Sequence, residues 1–168
     1  MPKKRVTIKE VYQFNELSDR AKERAREWYR EGALDYDWWE SVYEDAERVG
    51  LKITGFDLGR AQGCEGRLIM SIEESIQAIL KDHGKDCDTY KLAMEYKPQI
   101  QALRQREMEA EEALSDELAE LTEEYTYALR KEYRHMLRQE YEYLLSDECV
   151  DETILANKYE FLEDGTRA

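Results

Sequence analysis

The sequence predicts a mostly helical α+β fold. In this fold a short strand and a β-hairpin pack with helices, and a long helical unit follows that is antiparallel and coiled-coil-like. Alternating β-branched and aromatic residues over 5–14 and 51–70 indicate the strands. Residues 99–145 contain neither Gly nor Pro, which favours helix. Charged residues make up 38% of the chain, which is typical of long solvated helix faces.

The first elements follow from local patterns. We predict a strand over 5–14, an N-cap at Ser18 and a helix over 19–31. A second helix over 39–49 is expected to end at Gly50 in a left-handed conformation.

The next segment predicts a hairpin. Strands over 51–58 and 64–70 are joined by the Gly-containing loop 59–63. Gly55 and Gly66 lie inside these strands and indicate a bulge or a close backbone approach. A first unit of residues 1–84 is expected to finish with a helix that Ser71 caps.

A second unit over 85–168 is predicted to be helical and acidic, and the alternative is that both units form one continuous domain. Pro98 is expected to start or kink a helix. A single helix over 99–145 would far exceed the usual length, so we predict a break near Ser115 or at 130–131. The chain then predicts a short helix over 146–156, capped by Ser146, and a last strand over 159–162.

The net charge of −14 is unevenly distributed. Residues 1–106 hold 19 Lys and Arg against 20 Asp and Glu, whereas residues 107–168 hold 6 against 19. An acidic balance of this size argues against direct nucleic-acid binding, which needs cationic contacts to phosphate. Such an asymmetry is typical of an interaction surface or a solvated tail.

The strongest candidate for a binding surface is a set of acids on one predicted helix face, which we call the acidic stripe. Like charges four residues apart destabilise a helix, and a basic partner would relieve this cost. The stripe consists of Glu109, Glu112, Asp116, Glu120 and Glu123.

A second candidate patch combines Asp35, Asp37 and Trp38. A Trp beside acids suits docking onto Arg or Lys through charge pairing and cation–π contact. The alternative interpretation of both patches is that the acids serve solubility alone.

The sequence contains no recognisable motif for catalysis or metal binding. The chain lacks CxxC, HxxxH, GxGxxG and Walker-type motifs, so we expect no metal and no cofactor. The remaining alternative is a small enzyme with an unrecognised site around Cys64, His83 or His135. We nevertheless predict no catalytic residues.

Location also follows from composition. No stretch approaches the roughly 18 apolar residues of a membrane span. The basic residues 3–5 precede polar sequence and no apolar signal core. The odd number of widely spaced cysteines is typical of reduced thiols. We therefore expect a cytoplasmic protein of a bacterial host cell, without membrane contact.

The chain resembles a family of small phage- and prophage-encoded proteins, loosely labelled antitoxins of a toxin–antitoxin stability system. The matching segments are 11–30, 38–45, 55–58, 63–66 and 156–165. The resemblance spans most of the chain and brings no catalytic residue with it. It implies a phage context, in which small acidic proteins often bind host or defence proteins. That class includes anti-CRISPR and anti-restriction proteins.

These observations favour a non-catalytic inhibitor that uses its acidic helical surface to block a basic, nucleic-acid-handling host or defence protein. One alternative is an antitoxin that neutralises a cognate toxin. A homodimer formed through the long helix is a variant of the first hypothesis.

Overall fold

The computed structural model describes residues 1–60 and 63–168, where the predicted fold class, mostly helical α+β, is confirmed. The helices are α1 (Asp19–Gly32), α2 (Glu40–Arg48), α3 (Ile72–Asp82), α4 (Asp88–Ala110), α5 (Ser115–Leu144) and α6 (Asp147–Ala156). The strands are β1 (Tyr12–Gln13), β2 (Leu51–Asp57), β3 (Gly63–Leu68) and β4 (Glu160–Phe161). A 3₁₀ turn over Phe14–Glu16 follows β1.

The chain divides into two compact units. The terminal unit contains residues 1–38 and 140–168, and the central unit contains residues 39–139. The predicted boundary between residues 84 and 85 falls inside the central unit, between α3 and α4. Those two helices contribute to the same hydrophobic core, which accounts for the absence of a division at that point.

The core of the central unit joins the hairpin to its helices. Buried apolar side chains of this kind each stabilise a fold by about 1.5–3 kcal/mol. The cluster includes Leu51 and Ile53 of β2, Ile76 and Ile79 of α3, Leu92, Ile100 and Leu103 of α4, and Leu129 of α5.

The hairpin carries both features that its glycines predict. β2 and β3 pair antiparallel, and the register shifts between Ile53 and Gly55, as a bulge requires. A Cβ at Gly66 would lie 2.7 Å from the Lys52 carbonyl oxygen, so the backbones approach closely there. Residues 61 and 62 of the predicted loop lie outside the described residues.

The terminal unit has a core of its own. Phe14 packs with Val150, Ile154 and Phe161, and the ring of Trp28 contacts Phe161 edge-on at 5.8 Å. The antiparallel pairing of β1 with β4 brings the two chain segments of this unit together.

The predicted helix caps are confirmed. Ser18, Ser71 and Ser146 each accept a hydrogen bond from the backbone N–H three residues later, at 3.2, 3.1 and 3.3 Å respectively. Gly50 has a φ of +94°, the left-handed conformation expected after α2.

The predicted strand over 5–14 is wrong for most of its length. Only Tyr12 and Gln13 are extended and paired. Val6 and Ile8 are 86% and 92% exposed, because no described strand or helix covers their side of the chain. Alternation alone does not make a strand where a partner is missing.

The long helical segment is broken, as predicted near Ser115. α4 ends at Ala110 and α5 begins at Ser115, and no second break occurs at 130–131. Pro98 lies inside α4, so it does not start that helix, which begins at Asp88.

Candidate functional site

The break between α4 and α5 redistributes the acidic stripe. Glu109 lies at the end of α4, Glu112 lies in the connection, and Asp116, Glu120 and Glu123 lie on α5. The prediction that all five acids share one helix face is therefore wrong. All five side chains are nevertheless exposed.

The connection between α4 and α5 has the hydrogen bonds of a Schellman motif. The Glu112 N–H donates to the Glu107 carbonyl at 3.2 Å, and the Glu111 N–H donates to the Met108 carbonyl at 3.3 Å. Glu111 adopts a φ of +52°, a left-handed conformation that usually belongs to Gly at this position. The motif ends α4 with an acid in the turn itself.

The first turns of α5 present acids on one side. At about 100° per residue, the five acids among residues 116–124, which are not the same set as the acidic stripe, fall within an arc of roughly 120°. Over this stretch the helix carries about one charge per 3 Å of its axis. One strand of DNA carries one phosphate per roughly 3.4 Å. The residues are Asp116, Glu117, Glu120, Glu123 and Glu124.

Some acids near the break are neutralised by arginines. Glu107 pairs with Arg104 at 3.1 Å, and Glu117 pairs with Arg106 at 2.7 Å. Within the described part of the chain, the other acids of this region form no ion pair. They are Glu109, Glu111, Glu112, Asp116, Glu120, Glu123 and Glu124.

The second predicted patch is only partly presented. Asp35 and Asp37 are exposed. Trp38 is 8% exposed, and its ring lies 5.9 Å from that of Tyr141. The indole fills space inside the terminal unit, because a large aromatic surface gains more from burial than from water. Its predicted role as an exposed docking residue is therefore corrected.

His83, one candidate for an unrecognised enzyme site, belongs to a polar network. Its Nδ1 lies 2.5 Å from Oγ1 of Thr89, and its Nε2 lies 3.1 Å from Oδ2 of Asp45. Tyr133 donates to Oδ2 of Asp45 at 2.7 Å, and Arg48 donates to Oδ1 of Asp45 at 3.0 Å. The network connects α2, the α3–α4 region and α5.

This network contains the hydroxyl, imidazole and carboxylate of a nucleophilic triad. Thr89 is fully buried, however, so its hydroxyl cannot meet a substrate. The hydrogen bonds from His83, Tyr133 and Arg48 lower the pKa of Asp45 well below its usual range. Burial, together with the bond to Asp45, raises the pKa of Tyr133. The arrangement therefore stabilises a packed carboxylate.

The other two enzyme candidates lie elsewhere. His135 is exposed on α5. Cys64 is half-buried on β3, and burial raises the pKa of its thiol against the opposing effect of Arg130 and Arg134. A nucleophilic cysteine needs the opposite shift. Of the residues that the structure describes, no group of three His, Cys, Asp or Glu could hold a metal ion.

The sequence does not reveal the partners within this network. Asp45 lies 38 residues from His83 and 88 residues from Tyr133, so only the fold brings them together. One sequence pattern does indicate that the tyrosines of α5 have buried partners. Tyr125, Leu129 and Tyr133 recur at helical spacing, and a tyrosine on a buried face needs a partner for its hydroxyl.

No family model, no curated protein and no solved structure matches this chain. Among the described helices, none is both long enough and apolar enough to cross a membrane.

Proposed function

We propose that this chain is a non-catalytic binding protein that blocks a basic, nucleic-acid-handling protein through the acidic surface around the α4–α5 connection. The observation that carries the proposal is the set of exposed, unpaired acids on the first turns of α5. Counted without Glu117, which Arg106 neutralises, four acids remain over residues 116–124, or one per roughly 3–4 Å of the axis, which is close to the spacing of phosphates along a nucleic-acid strand.

The internal cost of this surface supports the proposal. Asp116 and Glu120 are four residues apart, as are Glu120 and Glu124, and each such pair costs a few tenths of a kcal/mol. A cationic partner would turn this repulsion into attraction. Some acids elsewhere in the central unit do have a basic partner, as Glu73 has in Arg104 at 3.0 Å and Glu47 has in Lys52 at 3.2 Å.

An exposed apolar side chain offers an anchor beside the acids. Met108 is 71% exposed at the end of α4, next to the turn that holds Glu111 and Glu112. Met is enriched at protein interfaces, where flexible apolar contact accompanies charge. The corrected surface is thus the connection and the first turns of α5, without Trp38.

The resemblance to small phage- and prophage-encoded proteins supports the class of partner. A host or defence protein that handles nucleic acid presents a basic groove, which an acidic helix can occupy in place of its ligand. Such binding weakens as salt rises, because exposed charges are screened over about 8 Å at physiological ionic strength.

The test compares three immobilised proteins in bacterial lysate: wild type, Glu120→Lys/Glu123→Lys, and the control Glu142→Lys/Glu152→Lys. Both variants change the net charge equally at exposed acids. We expect wild type and control to capture the same basic protein, and duplex DNA to displace it. The Glu120→Lys/Glu123→Lys variant should lose it. Equal capture by all three proteins with the same salt dependence, or no capture by wild type, would refute the proposal.

A further inference from the structure

Three basic side chains gather on α5 beside the hairpin, although the chain as a whole is strongly acidic. Arg130, Lys131 and Arg134 line a hollow of about 340 Å³ together with Tyr127 and residues 63–65. That volume lies within the range of small-ligand pockets. The described residues that line this open hollow all belong to the central unit.

The cations of this hollow have no acidic partner. Within residues 1–60 and 63–168, none of Arg130, Lys131 and Arg134 forms a salt bridge. Glu65 is the one carboxylate in the described lining, so the hollow has a net positive charge. The chain has 39 acids, so three neighbouring cations without an acidic partner are unusual and indicate that an external anion can bind them.

The guanidinium groups are held in place by the hairpin backbone. Arg134 Nε donates to the Asp57 carbonyl at 3.1 Å, and Arg130 Nη1 donates to the Gly66 carbonyl at 3.5 Å. Of these two bonds, that of Arg134 holds its side chain in place before any ligand arrives, which lowers the entropy cost of binding, whereas the 3.5 Å bond of Arg130 is weak.

Two further donors of these arginines are left without a partner. Arg130 Nε and Arg134 Nη2 are shielded from solvent and donate no hydrogen bond to any described residue. A buried donor that is left unsatisfied costs about 1–3 kcal/mol, and more for a charged group. An anion in the hollow would offset the charge of the guanidinium groups that carry these donors.

We propose that this hollow, which we call the basic pocket, binds the phosphate group of a small phosphate monoester. The three cations and the one carboxylate give the pocket a net charge of about +2. A phosphate monoester carries about −1.5 to −2, so the two charges are of similar size and opposite sign. Guanidinium forks bind phosphate oxygens in pairs. Arg130 and Lys131 lie 5.9 and 5.5 Å from the centre of the Tyr127 ring. Tyr127 is 57% exposed, and the exposed part of its ring can contact a planar group attached to the phosphate.

Cys64 provides a direct probe, because it lines the basic pocket. Its alkylation by iodoacetamide is followed by mass spectrometry, with inorganic phosphate or chloride at equal ionic strength. At about ten times its Kd, phosphate should slow modification of Cys64 roughly tenfold. Cys87 is exposed outside the pocket and should react at an unchanged rate.

Variants connect this protection to the arginines. Arg130→Gln/Arg134→Gln should abolish it. Arg138→Gln should retain it, since Arg138 donates to the Leu58 carbonyl at 2.6 Å and does not line the pocket. Circular dichroism checks folding. Should the double variant unfold, Arg134→Lys replaces it, and phosphorus NMR of phosphate added to wild type gives a second readout.

AMP and adenosine distinguish the source of the phosphate group. Protection by AMP at lower concentration than phosphate, lost in Tyr127→Ala, identifies a monoester with a planar group. Equal protection identifies phosphate itself. The proposal is overturned if phosphate and AMP protect no better than chloride, if adenosine alone protects as well as AMP, or if the arginine variants keep full protection.

Discussion

The Tyr133 hydroxyl donates a 2.7 Å hydrogen bond to Oδ2 of Asp45, which connects α5 to α2 across 88 residues of sequence. His83 and Arg48 also contact this carboxylate, so all its charge is met by donors within the central unit. A carboxylate held in this way stabilises the fold only while it is ionised.

Asp45→Asn should lower the free energy of unfolding by roughly 3 kcal/mol at neutral pH, since it leaves the buried donors without their anion. The folded-state pKa of Asp45 is lowered. Its contribution is therefore complete above the unfolded value of about 4 and is lost as pH falls below it. Urea unfolding of both proteins at several pH values measures the difference.

Glu44→Gln is the matched control for this substitution, because Glu44 is the exposed neighbour on α2. It should change stability by less than about 0.5 kcal/mol. The role given to the Asp45 carboxylate is contradicted if wild type and Asp45→Asn differ as much in free energy of unfolding in strong acid as at neutral pH.

Tyr125→Phe should cost about 1 kcal/mol at neutral pH. The Ser75 hydroxyl donates to the Val49 carbonyl at 2.6 Å, so it accepts the bond from Tyr125, also at 2.6 Å. Burial raises the pKa of Tyr125 to about 12. The contribution of Tyr125 is therefore present below about pH 10 and is lost as pH rises through its folded value.

Denaturant unfolding between neutral and alkaline pH tests this prediction, with exposed Tyr127→Phe as the control. The stability of wild type should fall to that of Tyr125→Phe and then below it as pH rises, because a pKa raised from about 10 to about 12 corresponds to about 2.7 kcal/mol. A constant difference across this range would contradict the prediction.

Glu111→Gly should raise the free energy of unfolding by up to about 1 kcal/mol. Glu111 has a φ of +52° at the end of α4, and Gly adopts this conformation without a steric cost. Glu112→Gly removes the same charge where φ is not left-handed, so it should destabilise by about 0.5–1 kcal/mol. Thermal unfolding compares the two. Equal shifts would mean that charge and not backbone conformation decides the effect.

Gly165→Ala should destabilise the terminal unit by at least about 2 kcal/mol. Gly165 has a φ of +88°, and a Cβ there would lie 2.1 Å from the Ala21 carbonyl oxygen. The same substitution at Gly32, the last residue of α1, meets nothing closer than 3.5 Å and should stabilise by up to about 1 kcal/mol. Tryptophan fluorescence on heating reports both. Equal melting temperatures for wild type and Gly165→Ala would refute this account.

Local chemistry predicted the elements well. The serine caps at Ser18, Ser71 and Ser146, the left-handed Gly50 and the bulge near Gly55 depend on neighbours within a few residues, so the sequence carries them directly.

Long-range packing was not predictable in this way. The alternation of Val6 and Ile8 indicates a strand, but no described partner covers it. Trp38 beside acids suggests an exposed patch, yet Tyr141, about a hundred residues later, covers its ring. The basic pocket could not be predicted from the sequence, because its arginines donate to backbone carbonyls of the hairpin and every residue has such a carbonyl.

The terminal unit is assembled from two segments that residues 39–139 separate. At about 5–20 residues per second, a ribosome needs roughly 5–20 s to make the intervening stretch. Throughout that interval Phe14 and Leu17 have been synthesised, but Val150, Ile154 and Phe161, which bury them, do not yet exist. A nascent chain can therefore complete its central core while its first segment still exposes apolar surface. We expect chaperones and proteases to bind the exposed first segment of the nascent chain most readily just before its last helix is made.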